Sequence, residues 1–241
     1  MADVWVWLLL TVVAFAASVL AGVTGFGSAV LVLPFLIEAV GVRDAVVVLS
    51  VAQVFGNLGR VWANRREVEW RVVGWYSVGA VPAAILGGVL FAGVPLSGLT
   101  SLLGVLLLVA VAVWLVRPER FPRLPRWGFA PLGGAGSFAS ALVGSVGPLT
   151  APFFVSFGLV KGAYVGTEAL CAAVTHLFKL VGYGDAGVLS GPAMLLGVLL
   201  GGIMVAGSLA GKRLLDRLTP TAFVRLMQIS LVVAGVRLLL R

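Results

Sequence analysis

Gly144-Ser145-Val146-Gly147-Pro148-Leu149-Thr150-Ala151-Pro152 interrupts a long apolar run. Two glycines and two prolines in this stretch do not continue a helix, because proline lacks the N–H and glycine is entropically costly there. A near-copy lies in the first half, Gly22-Val23-Thr24-Gly25-Phe26-Gly27-Ser28, with Pro34 beyond it. The rest of the chain is read outward from these two interruptions.

Of the 241 residues, 61% are hydrophobic and 11% charged, and the mean hydropathy is +1.13. Soluble domains carry about 25% charged residues, so the composition is that of an integral membrane protein. In lipid, a broken helix is tolerated only where protein or a water-filled cavity satisfies the freed backbone groups. The net charge of +8 is assigned to loop arginines that orient the chain, not to nucleic acid. The single cysteine, Cys171, excludes an intrachain disulfide framework. Met1-Ala2-Asp3 lacks a positive n-region, so the first apolar run is read as retained.

Apolar segments fall at about 4–21, 28–40, 44–63, 72–91 and 97–116, then about 128–143, 149–159, 162–181, 187–210 and 220–240. Between the two sets lies a basic link with Arg117, Arg120, Arg123 and Arg126. The expected fold is therefore an all-α polytopic membrane protein of two repeats, 1–116 and 128–241, joined by a cytoplasmic linker at 117–127. Each repeat has about five helical segments and opens with a Gly/Pro-broken hairpin. An offset of 118 superimposes Pro34-Phe35 on Pro152-Phe153 and Arg43 on Lys161, as a duplication would.

Basic residues mark the links at 60–71, 117–126 and 211–217, which the positive-inside rule places in the cytoplasm. This fits only if segments one and two, and again six and seven, return to the side they left. The repeats are then inverted and the N-terminus is outside. Trp62, Trp70, Trp75, Trp114 and Trp127 flank the inner links and Trp5 and Trp7 the outer face, where interfacial aromatics belong. Segments 28–40 and 149–159 are too short to span about 30 Å of hydrocarbon. The favoured reading is two hairpins dipping in from opposite faces with tips near the midplane; the other is that both arms cross and the tips lie at the surfaces.

Each tip is followed by a helix N-terminus, near Ser28 and near Leu149. Such an end presents unpaired N–H groups and partial positive charge, which suits an anion. Glycine there lets backbone approach a ligand closely. The candidate anion site is thus Thr24, Gly25, Phe26, Gly27 and Ser28 with Gly144, Ser145, Val146, Gly147 and Thr150. Other glycines, such as Gly87, Gly88, Gly201 and Gly202, are read as close-packing positions. On segment three, Ser50, Gln53, Asn57, Arg60 and Asn64 share about 80° of helical arc. On segment eight, Glu168, Thr175 and Lys179 share about 40°, with His176 about 80° from Glu168. Polar stripes on membrane helices face protein or water, so Gln53, Asn57 and Thr175 join the candidate site. Glu168 is either a proton carrier or the partner of a buried cation. His176 is either a relay or an interhelical hydrogen-bonding residue. Arg60 and Lys179 either guide an anion or snorkel to the interface.

Gly22-Val-Thr-Gly-Phe-Gly-Ser with Leu33-Pro34, and Gly144-Ser-Val-Gly-Pro-Leu-Thr-Ala-Pro152 with Gly162-Ala-Tyr-Val-Gly-Thr167-Glu-Ala, resemble the TauE/SafE sulfite-exporter family, and the segment order covers essentially the whole chain. The chain departs from the family pattern at Thr167-Glu168, where many members carry Thr-Ser. The resemblance implies a secondary carrier for sulfite, organosulfonates or a related small anion in a bacterial inner membrane. No metal or cofactor is expected, with one histidine and one cysteine and no His-Glu-x-x-His. The same absences argue against an enzyme. An anion channel, an uptake carrier for another anion and a non-transporting subunit are the competing classes. The expected partners are the anion and the lipid bilayer, not nucleic acid; a homo-oligomer is compatible with the sequence.

Overall fold

The computed structural model describes residues 4–95, 121–219, 221–223 and 225–226. The fifth apolar segment (97–116), Trp114, Arg117, Arg120 and nearly all of the tenth segment (220–240) lie outside the described residues. The helices are α1 (Val4–Thr24), α2 (Ser28–Val40), α3 (Val42–Asn64) and α4 (Trp70–Phe91), then α5 (Phe129–Val143), α6 (Gly147–Phe157), α7 (Lys161–Asp185) and α8 (Gly191–Arg217). A 3-10 turn at Arg126–Gly128 precedes α5. No strand occurs among the described residues. By length and composition α1, α3, α4, α7 and α8 can each cross a membrane. Thr24 extends α1 to 21 residues, three beyond the expected boundary, whereas α2 has 13 and α6 has 11.

The breaks follow local chemistry. Gly25 and Gly27 take φ of +83° and +104°, and Gly144 takes +92°, a region open to glycine at little cost. The second break is narrower than expected: α6 begins at Gly147, not near Leu149, with Pro148 in its first turn. Proline suits that position, since its missing N–H has no helical acceptor there.

Glycines set how closely the helices meet. A Cβ at Gly22 would lie 3.0 Å from the Gly211 Cα on α8, and one at Gly88 3.0 Å from the Gly182 Cα on α7. Gly87 meets Ala141 and Gly201 meets Phe55 at 2.8 Å, as close-packing positions should. Gly202 does not: nothing lies within 4 Å of its Cβ position. Adjacent helical residues point about 100° apart, so only one of the pair faces the partner.

Pairs of contacts give the helix directions. Phe15 meets Gly207 and Val19 meets Gly211, so α1 runs parallel to α8. Val51 meets Gly197 and Gly59 meets Val205, so α3 also runs parallel to α8. In the same way Tyr76–Gly133 with Gly87–Phe138 sets α4 parallel to α5. Tyr76–Thr175 with Gly88–Gly182 sets α4 parallel to α7. Between α3 and α7 the order reverses, Asn64 meeting Gly166 and Arg60 meeting Glu168. These two long helices are antiparallel.

The described basic links gather at one end of this bundle. Lys212 at the end of α8 pairs with Glu67 beyond α3 at 3.2 Å, and Glu67 covers Gly162 at the start of α7. The Ser156 hydroxyl near the end of α6 donates to the Pro122 carbonyl before α5, so the α5–α6 hairpin returns to the end where it began. Trp62, Trp70 and Trp127 at this end are exposed.

Candidate functional site

Both hairpin tips come to rest against the middle of the bundle and against each other. The Ser28 hydroxyl exchanges hydrogen bonds with the Gln53 amide at 3.1–3.3 Å, and Gln53 is the central residue of α3. Gly147 presses on the opposite tip: a Cβ there would lie 3.1 Å from the Phe26 Cβ and 3.4 Å from Glu168 Oε1.

Two adjoining cavities result. The first is lined by Gly25, Phe26, Gly27 and Ser28 of one tip, by Gln53, Asn57 and Arg60 of α3, and by Ser145, Gly147, Glu168 and His176. The second is lined by Ser145, Val146, Gly147 and Thr150 of the other tip, with Tyr76, Ser140, Cys171, Thr175, and again Glu168 and His176. Ser145, Gly147, Glu168, Ala172 and His176 thus form the shared wall.

The two cavities differ chemically. Arg60 brings a guanidinium to the first; it donates to the Gly25 carbonyl and to Asn57 Oδ1, and Nη1 lies 3.5 Å from Glu168 Oε2. Arg60 and Glu168 are 4% and 5% exposed. Glu168 Oε2, Asn57 Nδ2 and His176 Nδ1 are buried without a hydrogen-bond partner, and all three residues line this cavity. Buried polar atoms without partners are uncommon and call for an explanation. The second cavity is lined by the hydroxyls of Tyr76, Ser140, Ser145, Thr150 and Thr175, with no lysine or arginine among the described residues. Thr175 Oγ1 there is 2.7 Å from Ser137 Oγ and 3.5 Å from the Tyr76 hydroxyl, and donates to the Cys171 carbonyl.

The two helix N-termini are also unequal. No side chain caps either α2 or α6. In α6, however, Pro148 has no N–H, and the amides of Leu149 and Thr150 both donate to the Val146 carbonyl. Gly147 is left as the main first-turn donor. The α2 end, opening on Ser28 with no proline in its first turn, leaves more first-turn amides free, the feature an anion could use.

Three residues read as site candidates line neither cavity. The Thr24 hydroxyl turns back to the carbonyls of Leu20 and Phe26, where it caps the end of α1. Gly144 and Lys179 form a pair instead: Lys179 Nζ donates to the Gly144 carbonyl at 2.6 Å and the Ser140 carbonyl at 3.2 Å. Lys179 is fully buried, so it does not snorkel. This contact matches that of Arg60 with Gly25. In each hairpin a cation from the following long helix holds the carbonyl where the first arm ends, the end that carries partial negative charge. Ser50 donates to the Val46 carbonyl of its own helix and also meets the Tyr183 hydroxyl of α7.

Across residues 10–238 the chain matches the profile of one family, Sulfite exporter TauE/SafE. The chain belongs to that family. No curated protein and no solved structure gives a match. The TauE/SafE match spans both hairpins, both long helices and all the cavity-lining residues, and the family is one of membrane transporters.

Sequence reasoning missed Tyr76, Ser137 and Ser140. Ser137 and Ser140 recur at i, i+3 on an otherwise apolar helix, a spacing that puts two hydroxyls on one face and signals a polar contact in a membrane segment. Tyr76 lacks any such pattern on α4. The Lys179 contact carries its own prediction. Lys179→Met removes the charged donor from the Gly144 and Ser140 carbonyls, which keep the Ser140 hydroxyl and the Gly144 amide respectively; hydrogen bonds to a charged group contribute about 1.5–3 kcal/mol each, so thermal unfolding of the detergent-solubilised protein moves down by several degrees. An unchanged unfolding temperature counts against a structural role for this lysine.

Proposed function

We propose that this TauE/SafE protein is a secondary transporter that exports sulfite, an organosulfonate or a related small sulfur oxyanion across a bacterial inner membrane. The anion sits in the first cavity, against the α2 N-terminus and Arg60, with Ser28, Gln53 and Asn57 as polar neighbours. Ser145 and Gly147 of the second tip close it from the far side. The observation that carries this reading is one buried guanidinium, 3.5 Å from Glu168 Oε2, with Asn57 Nδ2 and His176 Nδ1 buried in the same cavity lining without hydrogen-bond partners, where both tips meet. Glu168, and His176 beside it, are the groups that couple the anion to protons.

Alternating access arises from two inverted repeats moving against each other. In support, α3 and α7 occupy equivalent places and run antiparallel. The packing of α1 on α8 is matched by that of α5 on α4, and Arg60–Gly25 by Lys179–Gly144. A repeat axis in the membrane plane reverses equivalent helices; an axis along the normal leaves them parallel. Positive-inside then sets the end holding Glu67, Lys212 and Arg126 in the cytoplasm and the start of α1 outside. The tips enter from opposite faces, consistent with Ser28 bonding to the centre of α3.

Titration of the purified protein with sulfite, methanesulfonate, sulfate and chloride tests the site. Saturable binding selective for a sulfur oxyanion is expected, with counterflow in vesicles. Failure to distinguish any of the four ions removes the site reading. Flux without saturation or counterflow indicates a channel.

A further inference from the structure

Resting on the anion-site reading, we infer that anion and proton occupy this site together: an anion at Arg60 is accompanied by a protonated Glu168, so the two travel in the same direction. Arg60 is the only lysine or arginine that lines either cavity among the described residues. Its guanidinium serves the Gly25 carbonyl, Asn57 and the Glu168 carboxylate. Glu168 depends on it in turn, since Oε2 accepts no hydrogen bond and the Oε1 side faces Gly147.

Without anion the pair is neutral, one guanidinium and one carboxylate. Adding an anion puts two negative charges beside one positive charge in a buried place, which leaves one buried charge uncompensated. A proton on Glu168 restores neutrality. The loaded site then holds one cation, one anion and one neutral acid, and the change is uptake of one anion and one proton. Like charges sharing a site resist joint ionisation, so the conclusion holds whether the anion displaces Glu168 from Arg60 or joins it there.

The other titratable groups facing Glu168 are few. Tyr76 comes from α4, and Tyr164, Cys171 and His176 stand on α7 itself. The hairpin tips bring hydroxyls and amides, Ser28, Ser145 and Thr150. Lys179 is directed at the Gly144 carbonyl. His176 is the competing proton acceptor, because a charged imidazole would favour an anion with the same sign. The experiment must separate it from Glu168.

The probe is methanesulfonate, whose own charge is constant in the range used. Its affinity for the wild-type protein, measured by calorimetry between about pH 5.5 and 8.5, is expected to fall with rising pH. The slope approaches tenfold per pH unit, the limit for one linked proton. In weakly buffered solution, binding takes up about one proton per anion, read with an indicator dye. Glu168→Gln removes both effects and binds at pH 8.5 at least as tightly as wild type at pH 5.5, whereas His176→Gln keeps the slope. Affinity that is flat or rises with pH, or proton release on binding, overturns the inference while leaving the anion site in place. A slope lost in His176→Gln and kept in Glu168→Gln overturns the role of Glu168. If Glu168→Gln does not fold, the wild-type slope and proton count still decide the sign. Absence of any methanesulfonate binding overturns the anion site for sulfonates and this inference with it.

Discussion

Replacing Gly147 with leucine abolishes anion binding and flux while the protein still inserts and folds. The position has no room for a side chain. A single Cβ would already sit 3.1 Å from the Phe26 Cβ and 3.4 Å from Glu168 Oε1. Leucine adds three more carbons at the point where the two tips touch, which is also the wall shared by both cavities. Overpacking of this kind costs about 1–3 kcal/mol, which most domains survive, so the loss falls on function. Gly147→Ala is the graded companion, because Phe26 has to yield by only a few tenths of an ångström; its binding is expected to weaken, not vanish. Titration of both variants beside wild type, with membrane yield and thermal unfolding as controls, checks the series. Wild-type flux in Gly147→Leu would mean that the tips do not hold the ligand between them.

Substituting Arg60 by methionine has the largest expected effect on stability. Its removal leaves the Glu168 carboxylate and the Gly25 carbonyl buried without their cation. Breaking a buried pair from one side costs about 3–5 kcal/mol, and the proposed anion site loses the one guanidinium that lines it among the described residues. Arg60→Met with Glu168→Gln removes both charges, and such exchanges are often close to neutral. The double variant is therefore expected to regain most of the lost stability without regaining anion binding. Thermal unfolding of the two single variants and the double variant measures the coupling. Simple additivity would show that Arg60 and Glu168 do not act as a pair.

Much of the cavity lining was legible because membrane composition narrows the meaning of each polar residue. An apolar chain with two Gly/Pro interruptions has few ways to satisfy its backbone. Two short helices follow from segment length alone, although the second begins at Gly147 and not near Leu149. Arg60 and Glu168 were singled out as stripe residues, and α3 and α7 do bring those stripes together. Helical periodicity reports the polar face of a helix, however, and not the partner across from it. Thr24 stands at the first tip, yet its hydroxyl serves nearby backbone, and Ser50 sits on the α3 stripe but bonds the Val46 carbonyl and Tyr183. Lys179 lies on the same stripe as Glu168 but holds a hairpin carbonyl instead of facing the cavity.

Hydropathy, glycine–proline breaks and basic links are properties of neighbouring residues, and they were enough to indicate a helical membrane protein with two broken hairpins and many of the residues that line its two cavities. The pairing of Arg60 with Glu168, the meeting of Phe26 with Gly147 and the split into one cationic and one hydroxyl-lined cavity depend on the register of helices far apart in the chain. That register is set by close contacts such as Gly22 on Gly211 and Gly88 on Gly182, whose partners are more than ninety residues away in sequence. Local chemistry specifies each surface; only packing selects which surfaces face each other.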